Sequence, residues 1–347
     1  MAVKMADIAR EAGVSIGTVG RVLHCNGYVS QEARKRVEAA VSRLGYVPNV
    51  MARALKSQKS GIIGCLAMEN VNGLFQRINS AFTQAAEQAG YQIVTMLGRS
   101  GHRDEEKLID QFTGLRVDGL AVISNKNLTG ALFDKLRARG IPVVAVERTY
   151  SHPHVDNLSV RDREGCYQAA ERFLQKGHRR VAAIAAGWAE PVEAARREGF
   201  RQALCDWGVP RERQLVQTVG QYRLEEGRAA MEALLALDEP PTGVFCTADT
   251  LAAGAMQAIY QAGRRVPEDF SIAGYDNVLA AQLAPAIDSV DLDMERIGER
   301  IVSILRRRME APAAPAIWEE LDTVYISRGT VASPKASPAT RAESQLK

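Results

Sequence analysis

Several functional classes are excluded by what this sequence lacks. Its 347 residues hold no apolar run long enough to span a membrane. The first residues, MAVKMADIAREAG, have charge but no apolar core of the kind a secretory signal carries, so the chain is expected to stay in the cytoplasm. Only five cysteines occur, at 25, 65, 166, 205 and 246, and no two form a C-x-x-C. That spacing argues against a disulfide framework and against a zinc site, and free, buried thiols are the expectation. The sequons at Asn127 and Asn157 mean little in a chain that is not secreted.

Catalytic and cofactor signatures are equally scarce. Neither G-x-G-x-x-G nor G-x-x-x-x-G-K-[ST] occurs, which leaves nicotinamide and nucleotide enzymology unsupported. There is no H-E-x-x-H, and the five histidines do not gather with carboxylates at metal-binding spacing. No cofactor and no metal are therefore expected. One hydrolase-like pattern exists, G-x-S-x-G at Gly13–Gly17. A nucleophile elbow needs a strand before the serine, however, and the residues preceding Ser15 have helical periodicity. No enzyme activity is expected.

What is present begins with an uneven charge. The whole chain carries a net charge of only +3, yet residues 1–60 contain ten Lys/Arg against four Asp/Glu. The remainder holds 34 basic and 37 acidic residues. A basic head on a near-neutral body fits a polyanion-binding module, or simply a solvated basic face.

The head reads as three short helices. Met5, Ile8, Ala9 and Ala12 recur at helical spacing, and Gly13 is a stop. Ser15 can cap a second helix running to about Leu23. Ser30 caps a third, Glu32 to Leu44, with Val37, Ala40, Val41 and Leu44 on one face. Pro48 opens a further helical stretch, and Ser57–Gly61 is a polar linker. Helix, turn, helix over 5–23 suits the major groove, with Ile16 and Gly17 at the base edges and Arg21 one turn later.

From Gly61 onward Val/Ile-rich runs alternate with amphipathic segments. Helices are predicted near 74–89, 104–115, 129–139, 162–176, 193–207, 224–237, 249–262 and 295–309. Such alternation implies α/β structure: two doubly wound lobes of parallel sheet covered on both faces. DSVDL, 295–309 and IWEELDTVYIS are expected to cross back between the lobes. Ligands of such sheets bind at the carboxyl ends of the strands, here in the cleft between lobes. The expected boundaries are a helix-turn-helix domain at 1–47, a hinge and linker at 48–60, a two-lobed body at 61–330 and a disordered, Pro/Ser-rich tail at 331–347.

At this level of detail a resemblance becomes specific. MADIAREAGVSIGTVGRVL, YVSQEARKRVEAA and LGYVPNVMARAL, with their spacing, resemble the head of the lactose-repressor (LacI/GalR) family. GLF at 73–75, GYQIV, VDGLAVIS, IPVVAVER, GHRRVAAIAA, RREGF, CTADTLAAGA and VPEDFSIAGYDN extend the likeness from about residue 3 to 330. The resemblance implies a dimeric transcription regulator, most often a repressor. Its body is similar to periplasmic sugar-binding proteins, and a small sugar-like effector controls its affinity for double-stranded operator DNA. The implied DNA-binding residues are Lys4, Ser15, Ile16, Gly17, Thr18, Arg21, His24, Tyr28 and Ser30 in the head. In the hinge they are Asn49, Ala52, Arg53 and the minor-groove wedge Leu55. The implied effector-binding residues are Phe75, Glu147, Arg196, Tyr222, Asp249 and Asp276, of which Asp249 has an equally good structural reading.

The chain departs from the family pattern in places. Gly20 stands where a phosphate-contacting serine is usual, His24 where asparagine is usual, and Lys4 near a common threonine. Glu147 replaces a more frequent aspartate, and Ala248 an asparagine. The alternative reading is a solute-binding protein of the periplasmic type without regulatory role, against which the attached head argues. The tail has no leucine heptad, so a homodimer is expected and not a tetramer joined by a terminal coiled coil.

Overall fold

A computed structural model describes residues 3–23, 27–46, 59–68, 73–98, 105–123, 128–187 and 190–335. The chain separates into two compact units, Met1–Ser60 and Gly61–Lys347. Among the expected site residues, His24, Asn49, Ala52, Arg53 and Leu55 lie outside the described residues.

The first unit contains α1 (Met5–Ala12), α2 (Ile16–Leu23) and α3 (Gln31–Leu44). Gly13 closes α1 with φ 63°, a left-handed conformation that a side chain would strain, and the chain turns directly into α2. Ser15 Oγ accepts from the Thr18 amide at 3.1 Å, and Ser30 Oγ from the Ala33 amide at 3.3 Å. Both satisfy amides that a helix start leaves open. Ile8, Val19 and Val37 are fully buried, one from each helix, with Ala9, Ala12, Val22 and Ala40 around them. Each such aliphatic side chain contributes about 1.5–3 kcal/mol on burial. Arg43 of α3 pairs with Glu11 of α1 at 2.6 Å on the surface.

The second unit is two lobes built on two six-stranded sheets. Its first part runs β1 (Ile62–Met68), α4 (Leu74–Gln88), β2 (Gln92–Gly98), α5 (Glu105–Leu115), β3 (Gly119–Ile123), α6 (Gly130–Ala138), β4 (Val143–Val146) and β5 (Val155–Val160). The second part runs α7 (Asp162–Gln175), β6 (Val181–Ala186), α8 (Pro191–Asp206), β7 (Leu215–Val219), α9 (Leu224–Leu235), β8 (Gly243–Cys246), α10 (Asp249–Gln261), β9 (Ser271–Asp276) and β10 (Asp288–Asp291). Helix α11 (Met294–Glu310) and strands β11 (Trp318–Leu321) and β12 (Val324–Ile326) follow. Helix limits fall within two residues of those the periodicity predicts.

The sheet orders are β11-β5-β4-β3-β1-β2 and β12-β10-β9-β8-β6-β7. Every pairing is parallel except β10 with β12. Strands β3, β4, β6, β8 and β9 are buried at every residue; the first four read as unbroken apolar runs for that reason, and β9 carries its polar residues, Ser271 and Asp276, only at its ends. The chain crosses between lobes three times: from β5 into α7, from β10 into α11, and from β11 to β12. IWEELDTVYIS therefore divides into two strands belonging to different sheets.

Two expectations change. Strand β5, VDNLSV, was not anticipated, because Asp156, Asn157 and Ser159 interrupt its apolar pattern. Two of these polar residues are nonetheless buried and satisfied. Asp156 takes a two-pronged pair from Arg308 of α11 at 2.9 and 2.6 Å and accepts from the Ile317 amide. The Asn157 amide group exchanges bonds with the Tyr150 backbone. The boundary of the tail also moves. Val331 is buried, the Ala332 carbonyl accepts from His178 Nε2 at 2.8 Å, and the Ala332 amide donates to Ser271. Residues 331 and 332 are thus packed against the second lobe.

Candidate functional site

The first candidate site is the outer face of α2. Val19 and Val22 point into the head's core, which leaves Ile16, Gly17 and Arg21 on the opposite side. Ile16 is 55% exposed on this face. Arg21 is exposed as well, and Tyr28, just beyond, is 91% exposed. Lys4 and Ser30 are exposed, while Thr18 is half-buried with its hydroxyl 2.9 Å from Ser15 Oγ. Ser15 is thereby occupied in capping the helix it precedes. At Gly20 a Cβ would meet only Met5 Cε, at 3.6 Å, so the fold itself would accept a side chain there.

The second candidate site lies where the strands of the second unit end. Arg196 sits in the second turn of α8 and is buried among acids. Its Nε donates to Asp162 Oδ1 at 2.7 Å and its Nη1 to the Thr247 carbonyl at 3.1 Å and the Tyr222 hydroxyl at 3.4 Å. Nη2 lies 3.7 Å from Asp276 Oδ1, and the guanidinium stacks 4.3 Å from the Tyr275 ring centre. Tyr275 in turn donates to Asp162 at 2.8 Å, and Tyr222 donates to Glu193.

Local folding explains how these groups meet. Asp162 opens α7 directly after β5, Glu193 and Arg196 share one face of α8 after β6, Thr247 follows β8, and Asp276 ends β9. Every one is at the carboxyl end of a strand. Helices α7 and α8 must approach closely for Arg196 to reach Asp162. A Cβ at Gly199 would collide with the Arg163 carbonyl, so glycine is required there.

Burial dominates the electrostatics. It pushes the Asp276 carboxyl well up from the usual range; Arg196 opposes this, and the charges of Asp249, Glu147 and Asp162 reinforce it. Burial also raises Glu193, against Arg196 and the Tyr222 hydrogen bond. For Arg196, desolvation works against the charge, but Asp162, Tyr222, Asp276 and Glu193 together hold it firmly protonated.

The six effector candidates divide. Arg196, Tyr222 and Asp276 are brought together in the second lobe. Glu147, half-buried after β4 at φ 64°, reaches the group from the first lobe through its charge. Phe75 is buried in the first turn of α4, packed in a core cluster with Leu74 and Ile78. Asp249 is occupied within the fold: Oδ2 accepts from the Leu279 and Ala280 amides and Oδ1 from Ser289 Oγ. It fixes the loop after β9, and a Cβ on Gly274 would strike its carboxylate.

Asp162, Glu193, Thr247 and Tyr275 were not anticipated. Glu193 was within reach, since it precedes Arg196 by three residues on one helical face. Asp162 gives no local signal, because its partner is 34 positions away. The two lobes meet beside this group. Arg148 of the first lobe pairs with Glu190 of the second at 3.9 Å, and a Cβ on Gly73 would stand 3.2 Å from Val278. Among the described residues no set of His, Cys, Asp and Glu is arranged to hold a metal ion, and no helix is long and apolar enough to cross a membrane.

Comparison with known proteins covers both units. Residues 4–49 match the profile of bacterial regulatory proteins of the lacI family, and residues 170–331 that of a periplasmic binding protein-like domain. The chain is 33% identical over 330 residues to the HTH-type transcriptional repressor PurR of Erwinia tasmaniensis, covering 94% of this chain and 96% of that protein. It is 33% identical over 296 residues to the probable HTH-type transcriptional repressor ExuR of Bacillus subtilis, covering 85% and 88%. Among solved structures it is similar to the transcriptional regulator CelR–cellobiose complex, with 29% identity, a TM-score of 0.69, and coverage of 94% and 99%.

Proposed function

Because the chain belongs to the lacI family of bacterial regulatory proteins, we propose that it is a transcription repressor whose grip on operator DNA is set by a small sugar-like effector. The observation that carries this reading is the pairing, in one chain, of an exposed α2 face with a buried, charged group where two lobes meet. The first is suited to base edges and phosphates, the second to a polar ligand. Relatives over nearly the whole chain are named as repressors, and the CelR structure holds cellobiose, which supports a sugar as effector. No catalytic role is assigned to any residue.

The mechanism follows from differential affinity. Two copies of the chain present two α2 helices to the halves of a pseudo-palindromic site. Ile16 and Gly17 face base edges, and Arg21 reaches a guanine edge or a phosphate. An effector between the lobes must bind one lobe arrangement better than the other, and only that difference can shift operator affinity. In this reading Arg196, Tyr222 and Asp276 from one lobe and Glu147 from the other are the groups that meet it.

A gel shift with the palindromic sequences near the protein's own promoter, at two salt concentrations, tests the reading. Affinity should fall steeply with salt, with a slope of about −0.9 per phosphate neutralised. Absence of salt-sensitive binding to any such site contradicts the proposal.

A further inference from the structure

We propose that Arg328 is a positioning residue of the effector site: it grips Asn277 and so holds the left-handed turn that carries Asp276 to the cleft. This rests on the effector-controlled reading above and extends it to a different element, the segment that follows β12.

Strand β9 ends in two successive left-handed residues, Asp276 at φ 86° and Asn277 at φ 50°. A side chain makes that conformation costly, and it persists where the surroundings over-determine it. Aspartate and asparagine tolerate it better than most residues. The backbone of the turn is pinned on one side, because the Leu279 and Ala280 amides donate to Asp249 and the Asn277 amide to Ser289 Oγ at 3.2 Å. The Asn277 side chain is held from another direction. Arg328 Nη2 donates to Asn277 Oδ1 at 2.7 Å, and Arg328 Nη1 donates to the Ile287 carbonyl at 2.8 Å. Asn277 directly follows β9 and Ile287 directly precedes β10, so one guanidinium clamps both ends of the connecting loop. A planar fork of donors suits that task, and a lysine's single ammonium does not reproduce it.

The clamped turn faces two ways. Asp276 Oδ1 lies 3.7 Å from Arg196 Nη2, and Val278 stands where a Cβ on Gly73 of the first lobe would come within 3.2 Å. A shift of the turn therefore moves a site carboxylate and an interlobe contact together. Arg328 is itself anchored through its backbone. The amides of Arg328, Gly329 and Thr330 converge on Asp288 Oδ1 at 2.7, 2.7 and 3.0 Å, and the Tyr325 hydroxyl donates to Oδ2 at 2.7 Å. Gly329 makes the convergence possible with φ 98°, and successive amides closing on one oxygen form an anion nest. Shortening the Arg328 side chain leaves this nest intact, so the segment stays in place while its grip on Asn277 is lost. The same segment enters the second lobe at the crossing from β11 to β12, which places the clamp at the end of an interlobe connection.

The test is hydrogen exchange read by mass spectrometry on the full chain, without ligand or DNA. It compares the native sequence with Arg328→Gln, Arg328→Lys, Asn277→Gly and the Arg328→Gln, Asn277→Gly double variant, each checked for folding by circular dichroism. In Arg328→Gln the amides of Asn277, Leu279 and Ala280 should exchange about tenfold faster, the loss that a charge-assisted hydrogen bond implies. The amides of Arg328, Gly329 and Thr330 should keep their protection, because Asp288 holds them. Arg328→Lys keeps the charge without the fork and should fall between the two. Asn277→Gly adopts the left-handed conformation freely and offers no oxygen to grip, so adding Arg328→Gln to it should speed exchange little further. A crystal structure of Arg328→Gln should show Asp276 Oδ1 displaced from its place beside Arg196 Nη2. Unchanged exchange at 277–280 in Arg328→Gln overturns the proposal, and so does an Asp276 carboxylate that has not moved. Equal acceleration at 277–280 and 328–330 overturns it too, since Arg328 would then be a general brace of the fold. Failure of the regulator reading is separate: it appears as absence of salt-sensitive operator binding, and no DNA enters these measurements.

Discussion

Arg196 donates from Nε to Asp162 Oδ1 at 2.7 Å, joining the second turn of α8 to the first residue of α7. Both side chains are almost wholly buried, so the pair is compensated by its own geometry and by the Tyr275 hydroxyl and Thr247 carbonyl bonded to it, with little help from water. Removing one partner of such a pair leaves the other charged and unsolvated. Asp162→Ala should therefore lower stability by about 3–5 kcal/mol, and Asp162→Asn by less, since its amide oxygen still accepts from Arg196. Urea unfolding midpoints measure the difference. An unchanged midpoint in the alanine variant would mean that water reaches the guanidinium.

His178 gives a pH prediction. It is buried between Thr242, Ser271 and the Ala332 carbonyl, and burial lowers its pKa in spite of the bond to Ala332. The folded protein thus binds fewer protons here than the unfolded chain. Its contribution to stability is complete above the unfolded value of about 6.5 and is lost as pH falls through the lower folded value. Unfolding free energy measured at about pH 7.5 and 5.5 should drop more steeply in the native sequence than in His178→Gln.

Gly20 lies in α2 with room for a side chain, 3.6 Å from Met5 Cε. Glycine costs a helix interior about 1 kcal/mol relative to alanine. Gly20→Ser should tighten operator binding by restoring a hydroxyl donor to phosphate, with little change in sequence preference. A titration by fluorescence anisotropy on two operator sequences measures both quantities, and weaker binding would assign Gly20 a different role.

Ile16 and Arg21 share the exposed face of α2 but should behave differently. Arg21→Ala is expected to weaken all operators and, where the contact is to phosphate, reduce the salt slope by about 1. Ile16→Ala should instead relax preference at one position, by about 1–3 kcal/mol, as expected for an apolar contact to a thymine methyl. Binding-site selection with each variant separates the two outcomes.

Much of the architecture could be read before the structure because burial on both faces leaves a clear mark. Strands β3, β4 and β6 show it as uninterrupted apolar runs. Strand β5 could not be read in that way. Its buried Asp156 is stabilised by Arg308, 152 positions later, and no local pattern reports such a partner. The candidate site divides along the same line. Arg196 and Asp276 were found through recognisable motifs, whereas Asp162 enters only because α7 and α8 pack across Gly199. Asp249 illustrates the opposite case, a motif residue whose oxygens hold the loop after β9.

The triple crossing between the lobes carries a mechanical consequence. A single connecting segment would allow the lobes to swing, twist and slide in any combination. Three segments, leaving β5, β10 and β11, tie the two sheets to each other. Displacement about any one of them must be accommodated by the other two, so the lobes keep fewer independent relative motions than a single tether would leave them.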